Sequence, residues 1–302
     1  MNSRQPNLFL VGAMKSGTTT LHELLAGHPE IAMSEPKEPC HFISGEALQR
    51  LWPEMWAKGY WKNEQTYLDI FPNKPNARWR GESSTDYSKR PLIDGIAKRI
   101  AAYNADARIV YIMRDPVERT ISHYWHMTEL RGEKRSILEA INDDPHYTDV
   151  SNYAFQLAPY LEHFGRNRIY VLTFEALKAN PQAIVSELCR WLSVAENFEP
   201  DRPHAAHNVT PETIRQKRSG MGALDRIRHS ALWGAVGPLV PSALRKTAVA
   251  MVEREIFRRE VDLGPAIAWL RPRQQPQVRT LEAILDRTFP EWTTLWGPEA
   301  SQ

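Results

Sequence analysis

Cysteine is nearly missing from this sequence: Cys40 and Cys189 stand far apart, in neither a metal-ligand spacing nor a disulfide framework. That pattern excludes a stapled scaffold and suits a reducing compartment. An excess of one charge is also lacking, and a formal net charge of +2 gives no reason to expect nucleic acid as a partner. No run of ~20 apolar residues occurs, so no membrane span is expected. Arg4 is the one basic residue ahead of the short apolar stretch 8–14, and no cleavage-site pattern follows. A secretory leader is therefore not expected, and the chain reads as cytoplasmic. Repeats, low-complexity tracts and linkers are lacking as well. The 302 residues accordingly read as one domain, with a core over about 8–200 and a helical C-terminal extension over about 201–302.

What is present alternates between strand and helix. The apolar run 8–11 has the character of a strand buried in a parallel sheet. After Gly12, residues 18–26 read as a helix with Leu21, Leu24 and Leu25 on one face, stopped by Gly27-His28-Pro29. The stretch 35–76 is rich in Pro and Trp and predicts loops and short helices. A strand over 108–113 leads into a helix over 117–130, with Asp115 as N-cap and Pro116 at its first position. Helix 151–164, strand 168–173 and helix 182–192 follow. This order predicts an α/β fold: a central parallel sheet with helices on both faces. Beyond 201 the chain turns polar and basic, with helix candidates over 243–259 and 278–288.

Gly12-Ala13-Met14-Lys15-Ser16-Gly17-Thr18-Thr19-Thr20 lies between the first strand and its helix. Such a loop aims successive backbone N–H groups at one anion, and the helix N-terminus adds a favourable dipole. Gly12 and Gly17 have the spacing of a nucleotide-triphosphatase loop, but Thr18 stands where that loop needs its lysine. The cation, Lys15, sits inside the loop instead. That placement suits a single phosphate bearing one transferred group, without a metal. The plainer alternative is a tight strand-to-helix turn that binds nothing.

Lys15-Ser16-Gly17-Thr18-Thr19 resembles the 5′-phosphosulfate loop of sulfotransferases that use 3′-phosphoadenosine 5′-phosphosulfate (PAPS). That family carries an arginine after its third strand and a serine eight residues on, which hold the 3′-phosphate. Arg114 and Ser122 stand in that arrangement within Arg114-Asp115-Pro116-Val117-Glu118-Arg119-Thr120-Ile121-Ser122. The resemblance implies PAPS as donor, 3′-phosphoadenosine 5′-phosphate (PAP) as product, and a P-loop-like phosphosulfate loop made by Lys15, Ser16, Gly17, Thr18, Thr19 and Thr20. Considered alone, Arg114 reads as a partner of Asp115 or Glu118, and Arg119 as a solvated or structural helix residue. The likeness runs over about 8–192 and weakens beyond.

Sulfuryl transfer to an alcohol needs a base for the acceptor proton and a cation for the departing phosphate. Lys15 suits the second task. Pro36-Lys37-Glu38-Pro39-Cys40-His41-Phe42 is similar to the Lys-Glu-Pro/Leu-His-Phe-Phe segment of carbohydrate-type members, in which the glutamate is the base. The resemblance makes Glu38 the base and sets Lys37 beside the cofactor or beside that base. The family histidine falls on Cys40, with His41 one place later. His123 and His126 are alternative bases, because the cytosolic branch of the family uses a histidine. Cys40 itself reads as a small buried thiol.

Gly81-Glu82-Ser83-Ser84-Thr85-Asp86-Tyr87 and Ser151-Asn152-Tyr153 resemble segments lining the acceptor cleft, which implies substrate contacts for Glu82 or Tyr87 and for Tyr153, with Lys37 and His41 beside them. A satisfied network that anchors the loop is the equal alternative for Glu82 and Tyr87. Lys217 and Arg218 lie in a basic stretch where the family closes a loop over the 3′-phosphate; a solvated face is the equal alternative. Trp52, Trp56, Trp61 and Trp79 either stack on an acceptor or belong to the core. The acceptor implied is a glycan, a glycosylated lipid or another small molecule. Two other readings stand beside this one. A P-loop kinase for a nucleotide or small molecule would use Asp115 for Mg²⁺, and a non-catalytic module would bind PAPS without turnover.

Overall fold

The computed structural model describes residues 5–198, 212–217 and 253–297. Five strands build one sheet: β1 (Leu8–Gly12), β2 (Ile31–Met33), β3 (Trp79–Ser83), β4 (Arg108–Met113) and β5 (Ile169–Thr173). They run in the order β2-β3-β1-β4-β5, and every pairing is parallel. β1 therefore lies at the centre, with β3 and β4 on its flanks. The chain reverses its direction of winding around β1, the place where open parallel sheets leave a crevice at their carboxyl edge.

Alternation along the strands divides the core. Leu8 and Leu10 of β1 join Val110, Ile112 and Leu172 in one buried cluster with Leu21, Leu25, Leu188 and Leu192. Phe9 and Val11 point the other way, into a cluster with Ile109, Tyr111, Trp125, Leu157 and Leu281. Successive side chains on a strand face opposite sides, so helices are required on both. Thr18–Ala26 and Pro181–Leu192 cover the first face; Pro116–Leu130, Tyr153–Phe164 and Gly264–Leu285 cover the second.

The expected elements of the first two hundred residues are present, and two strands and the helices Ile96–Tyr103, Ile137–Asp143, His146–Asp149 and Phe174–Ala179 are added to them. β2 is only three residues long, and β3 reads Trp-Arg-Gly-Glu-Ser, so neither carries an apolar run to betray it. Short helices over Gly45–Leu51, Pro53–Lys58 and Glu64–Leu68 fill the Trp-rich stretch. The C-terminal third departs further from expectation. Of the helix candidate 243–259, residues 243–252 lie outside the described residues. Glu253–Phe257 is a strand, β7, paired antiparallel with β6 (Thr213–Lys217). The candidate at 278–288 is the second half of a longer helix, Gly264–Leu285, which contains Pro272 and Pro276. Both prolines sit on its exposed face, where water can satisfy the carbonyls they free. Asp286, at φ 50°, ends that helix in the left-handed region.

Candidate active site

All five parallel strands release their chains at the same edge, and the residues singled out above follow those ends. The loop after β1 is shaped by two glycines. Gly17 has φ 88°, and a Cβ there would stand 2.7 Å from the Phe174 ring. Gly12 at φ 155° is backed by the Ser88 hydroxyl, which leaves no room for a side chain. Helix Thr18–Ala26 begins without a side-chain cap, so its first N–H groups stay available to a ligand. Ser16 is fully buried, and its hydroxyl has no hydrogen-bond partner. A buried donor left over inside an anion-shaped loop fits a phosphate-type ligand.

Lys15, at φ 68°, rises from this loop among other cations. Burial first, then the charges of Arg114, Arg258 and Arg119, lower its proton affinity, while Glu129 acts the other way. Among the described residues Lys15 has no ion pair or hydrogen bond of its side chain. Arg114 leaves β4 on the adjacent strand. Its Nη2 donates to Glu118 Oε2 at 3.1 Å and its guanidinium lies 5.1 Å from the Phe174 ring centre. The Tyr153 hydroxyl donates to the Arg114 carbonyl at 2.6 Å and accepts its N–H at 3.3 Å. Ser122 is buried two turns into the helix Pro116–Leu130.

Two further arginines complete this cationic side. Arg258 follows β7 and lies 5.6 Å from the Trp125 ring centre; burial and Arg114 lower its pKa. It went unnoticed in the sequence because the antiparallel pairing of β7 with β6 brings it here. Arg119 is fully buried, not solvated. It donates to Ser151 Oγ at 2.5 Å and to the Tyr147 carbonyl, and its Nη1 has no partner. Burial brings it down to about 10. The backbone of Lys217 belongs to β6, while Arg218 lies outside the described residues.

Across the edge, the turn after β2 carries Glu38. Its N–H donates to the Ser83 carbonyl at 3.0 Å, which ties it to β3. Lys37 Nζ approaches Glu38 Oε1 to 2.5 Å, and the Thr85 N–H donates to Oε2 at 2.8 Å. Glu38 and Cys40, at φ 60° and 55°, occupy the left-handed region on either side of Pro39. Backbone strain of this kind persists only where surrounding contacts fix it. Glu38 is 26% exposed in its side chain, enough to meet an acceptor.

Behind Glu38 lies a buried carboxylate, Glu82. It accepts from Tyr67 at 2.9 Å, Tyr87 at 2.8 Å and Ser84 at 3.0 Å, yet burial raises its pKa to about 7. Tyr87 and Tyr153 are thus both buried, their hydroxyls spent on Glu82 and on the Arg114 backbone. His41 pairs through Nδ1 with the Tyr60 carbonyl at 2.7 Å and stacks on Tyr67 at 3.9 Å, so it braces the loop. Cys40 is buried and its thiol donates to Asp86 Oδ2 at 3.6 Å; burial and nearby carboxylates push its pKa up. Asp86 in turn pairs with Lys89, whose Nζ lies 5.0 Å from the Trp52 ring centre.

The alternative bases separate. His123 is buried against His146 and Tyr147, and burial holds its pKa well below the usual imidazole range. His126 is less buried, and burial with the charges of Lys15, Lys89 and Arg131 brings it down to about 4. Glu38, Cys40 and Asp86 place ligating atoms within 4.8 Å of one another. Both carboxylates already face a lysine, however, and the thiol keeps its proton. Asp115, the aspartate a kinase would need, spends Oδ1 on the Val117 and Glu118 N–H groups and Oδ2 on that of Leu295.

A family model for the sulfotransferase domain matches residues 5–216. The crystal structure of a sulfotransferase from Alicyclobacillus acidocaldarius is similar at a TM-score of 0.66 and 25% identity, over 95% of this chain and 98% of that one. The bifunctional heparan sulfate N-deacetylase/N-sulfotransferase 1 of Caenorhabditis briggsae is 24% identical over 274 residues, 76% of this chain and 30% of that protein. The membrane-associated sulfotransferase kil1 of Dictyostelium discoideum is 34% identical over 119 residues, 39% of this chain and 22% of its own length. The chain thus spans less than a third of each of these curated relatives. No described helix is long and apolar enough to cross a membrane.

Proposed function

The chain belongs to the sulfotransferase family, and from that premise we propose that it transfers the sulfuryl group of PAPS to an acceptor hydroxyl, with Glu38 as general base. The observation that carries this reading is the meeting of two cation-bearing turns at neighbouring strand ends. Lys15 follows β1, Arg114 follows β4, and the Glu38 carboxylate is fixed from the β2–β3 side.

PAPS supplies an activated sulfuryl group on a phosphate leaving group; the remaining work falls to the chain. The loop N–H groups, Ser16, Thr18, Thr19 and Thr20 hold the 5′-phosphate, and Lys15 neutralises charge on the oxygen that departs. Arg114 offers a planar fork to the 3′-phosphate, with Ser122 adding a hydroxyl. Glu38, aimed by Lys37 and the Thr85 N–H, takes the acceptor proton at the carboxylate as the acceptor oxygen bonds to sulfur and the S–O bond to the phosphate breaks. No residue of this scheme calls for a metal. A kinase reading is weakened by Thr18 in the lysine position and by the engaged Asp115.

The acceptor we infer is a glycan, a glycolipid or another small metabolite. Trp52, Trp56 and Trp61 are all half-buried against the core, with Lys89 5.0 Å from the Trp52 ring centre. Trp79 is instead tied to the Leu192 carbonyl through its N–H at 2.9 Å. Incubation with PAPS and a panel of sugars, glycolipids, phenols and amino sugars tests the reading. Equal amounts of PAP and a sulfated product support it, an amino sugar as sole acceptor changes the nucleophile, and phosphorylation from ATP refutes it.

A further inference from the structure

Resting on the reading of Arg114 as the 3′-phosphate arginine, we propose that the C-terminal segment 289–297 is part of the donor site. It positions Arg114 and so sets the preference for a nucleotide that carries a 3′-phosphate. The segment lies beyond the residues matched by the family model, which end at 216. It stands more than a hundred residues from the turn it serves.

Three carboxylates bridge the segment to that turn, each with one oxygen on either side. Glu118 pairs through Oε2 with Arg114 and accepts the Thr294 hydroxyl on Oε1 at 3.0 Å. Glu175 accepts the Asp115 N–H on Oε1 at 2.9 Å and the Trp292 indole N–H on Oε2 at 3.2 Å. Asp115 caps its own helix through Oδ1 and accepts the Leu295 N–H on Oδ2 at 2.9 Å. Phe289, Trp292 and Leu295 are fully buried beneath these contacts, and Phe289 stacks on Trp292 at 4.2 Å. Helix Gly264–Leu285 fixes the segment from outside, where Arg271 Nε donates to the Thr294 carbonyl at 2.7 Å.

Apolar packing alone would anchor a terminus. Other polar contacts tie the segment to Thr173, Arg271, Gln275 and Glu282. Those of Thr294, Leu295 and Trp292, however, converge on Glu118, the counter-ion of Arg114, on Asp115, the residue after it, and on Glu175, which holds the Asp115 N–H. Hydrogen bonds to ionised groups are the stronger and more directional kind, so this set fixes orientation as well as position. Glu118 engages one end of the guanidinium, and a guanidinium has five N–H donors. Thr294 holds Glu118, Glu118 holds Nη2 of Arg114, and the remaining donors are left to form the fork that a phosphate needs. A preorganised arginine gives up little freedom on binding.

The test is calorimetric binding of PAP and of AMP, which lacks the 3′-phosphate, to the full chain and its variants. Arg114→Ala should abolish the preference for PAP. Thr294→Val, which removes only the hydroxyl, should weaken PAP by about tenfold and leave AMP within about twofold. Thr294→Ser restores the donor and should behave as the parent. If Thr294→Val fails to fold, Trp292→Phe deletes the indole N–H to Glu175 and carries the same comparison. A parental PAP-to-AMP ratio in Thr294→Val, with the ratio lost in Arg114→Ala, would show that the segment merely packs. An unchanged ratio in Arg114→Ala would remove the reading of Arg114 and this inference with it.

Discussion

The two sides of the strand edge match their charges in opposite ways. On the β1–β4 side, burial and the neighbouring charge of Arg114 lower the proton affinity of Lys15, Arg119 and Arg258. Neither Lys15 nor Arg119 has a carboxylate partner among the described residues. On the β2–β3 side each carboxylate is supplied: Glu38 by Lys37 and Thr85, Asp86 by Lys89, Glu82 by two tyrosines and a serine. Gathering cations costs stability that an incoming dianion repays, and held carboxylates keep a base in one geometry. On the proposed reading, one side is completed by a ligand and the other stays as it is.

Breaking the cationic side at its centre should have the largest effect. Lys15→Ala is expected to lower turnover by about 10³-fold, the scale of losing one electrostatic stabiliser of a developing anion. A steady-state assay with PAPS checks this, and near-parental turnover would remove Lys15 from the reaction. On the opposite side, Glu38→Gln should lower turnover by about 10²-fold, while PAP affinity measured by calorimetry stays near that of the parent. Loss of PAP binding in that variant would make Glu38 structural.

Glu82 sharpens the contrast through pH. Its folded pKa of about 7 lies above the ordinary carboxylate value of 4.5, so the folded state binds the proton more tightly than the unfolded chain. The stability this proton contributes is present below about 4.5 and is lost as pH rises through about 7, roughly 3 kcal/mol at most. Denaturant melts at pH 5 and pH 8 should show that fall in the parent and a flatter profile in Glu82→Gln. Equal slopes would place the titration elsewhere. The smallest effect is expected from Arg119→Met. Ser151 Oγ and the Tyr147 carbonyl keep Thr120 as a partner when Arg119 is gone. The melting temperature of the ligand-free protein should therefore hold or rise, while PAP affinity falls by about fivefold as the local potential drops. A lower melting temperature with intact affinity would make Arg119 a brace and nothing more.

Legibility in the sequence followed the same division. The β1 loop and the Arg114 turn announce themselves because strand, turn and helix start are contiguous, and each carries its own chemistry within a few residues. Glu38 stood out only through the resemblance of its segment, since a loop carboxylate beside a lysine has no local mark of catalysis. β3 stayed hidden because Glu82 and Ser83 replace the apolar pattern of a buried strand with polar groups that serve the site. Arg258 and the segment 289–297 were illegible for a different reason. Their partners lie far away in sequence, and Pro272 and Pro276 masked the helix that delivers the second of them. Local propensity reads contiguous sites; it does not read what a distant segment brings back.

The central claim is that the β1–β4 side recognises a nucleotide by two separate phosphates without a metal. Isothermal calorimetry of PAP, AMP and ATP against the full chain, each with and without Mg²⁺, tests it most directly. The account predicts that PAP binds at micromolar concentration regardless of Mg²⁺, and that AMP and ATP bind much more weakly. Preference for ATP that depends on Mg²⁺ would contradict it, and would return the Lys15 loop to the chemistry of a kinase.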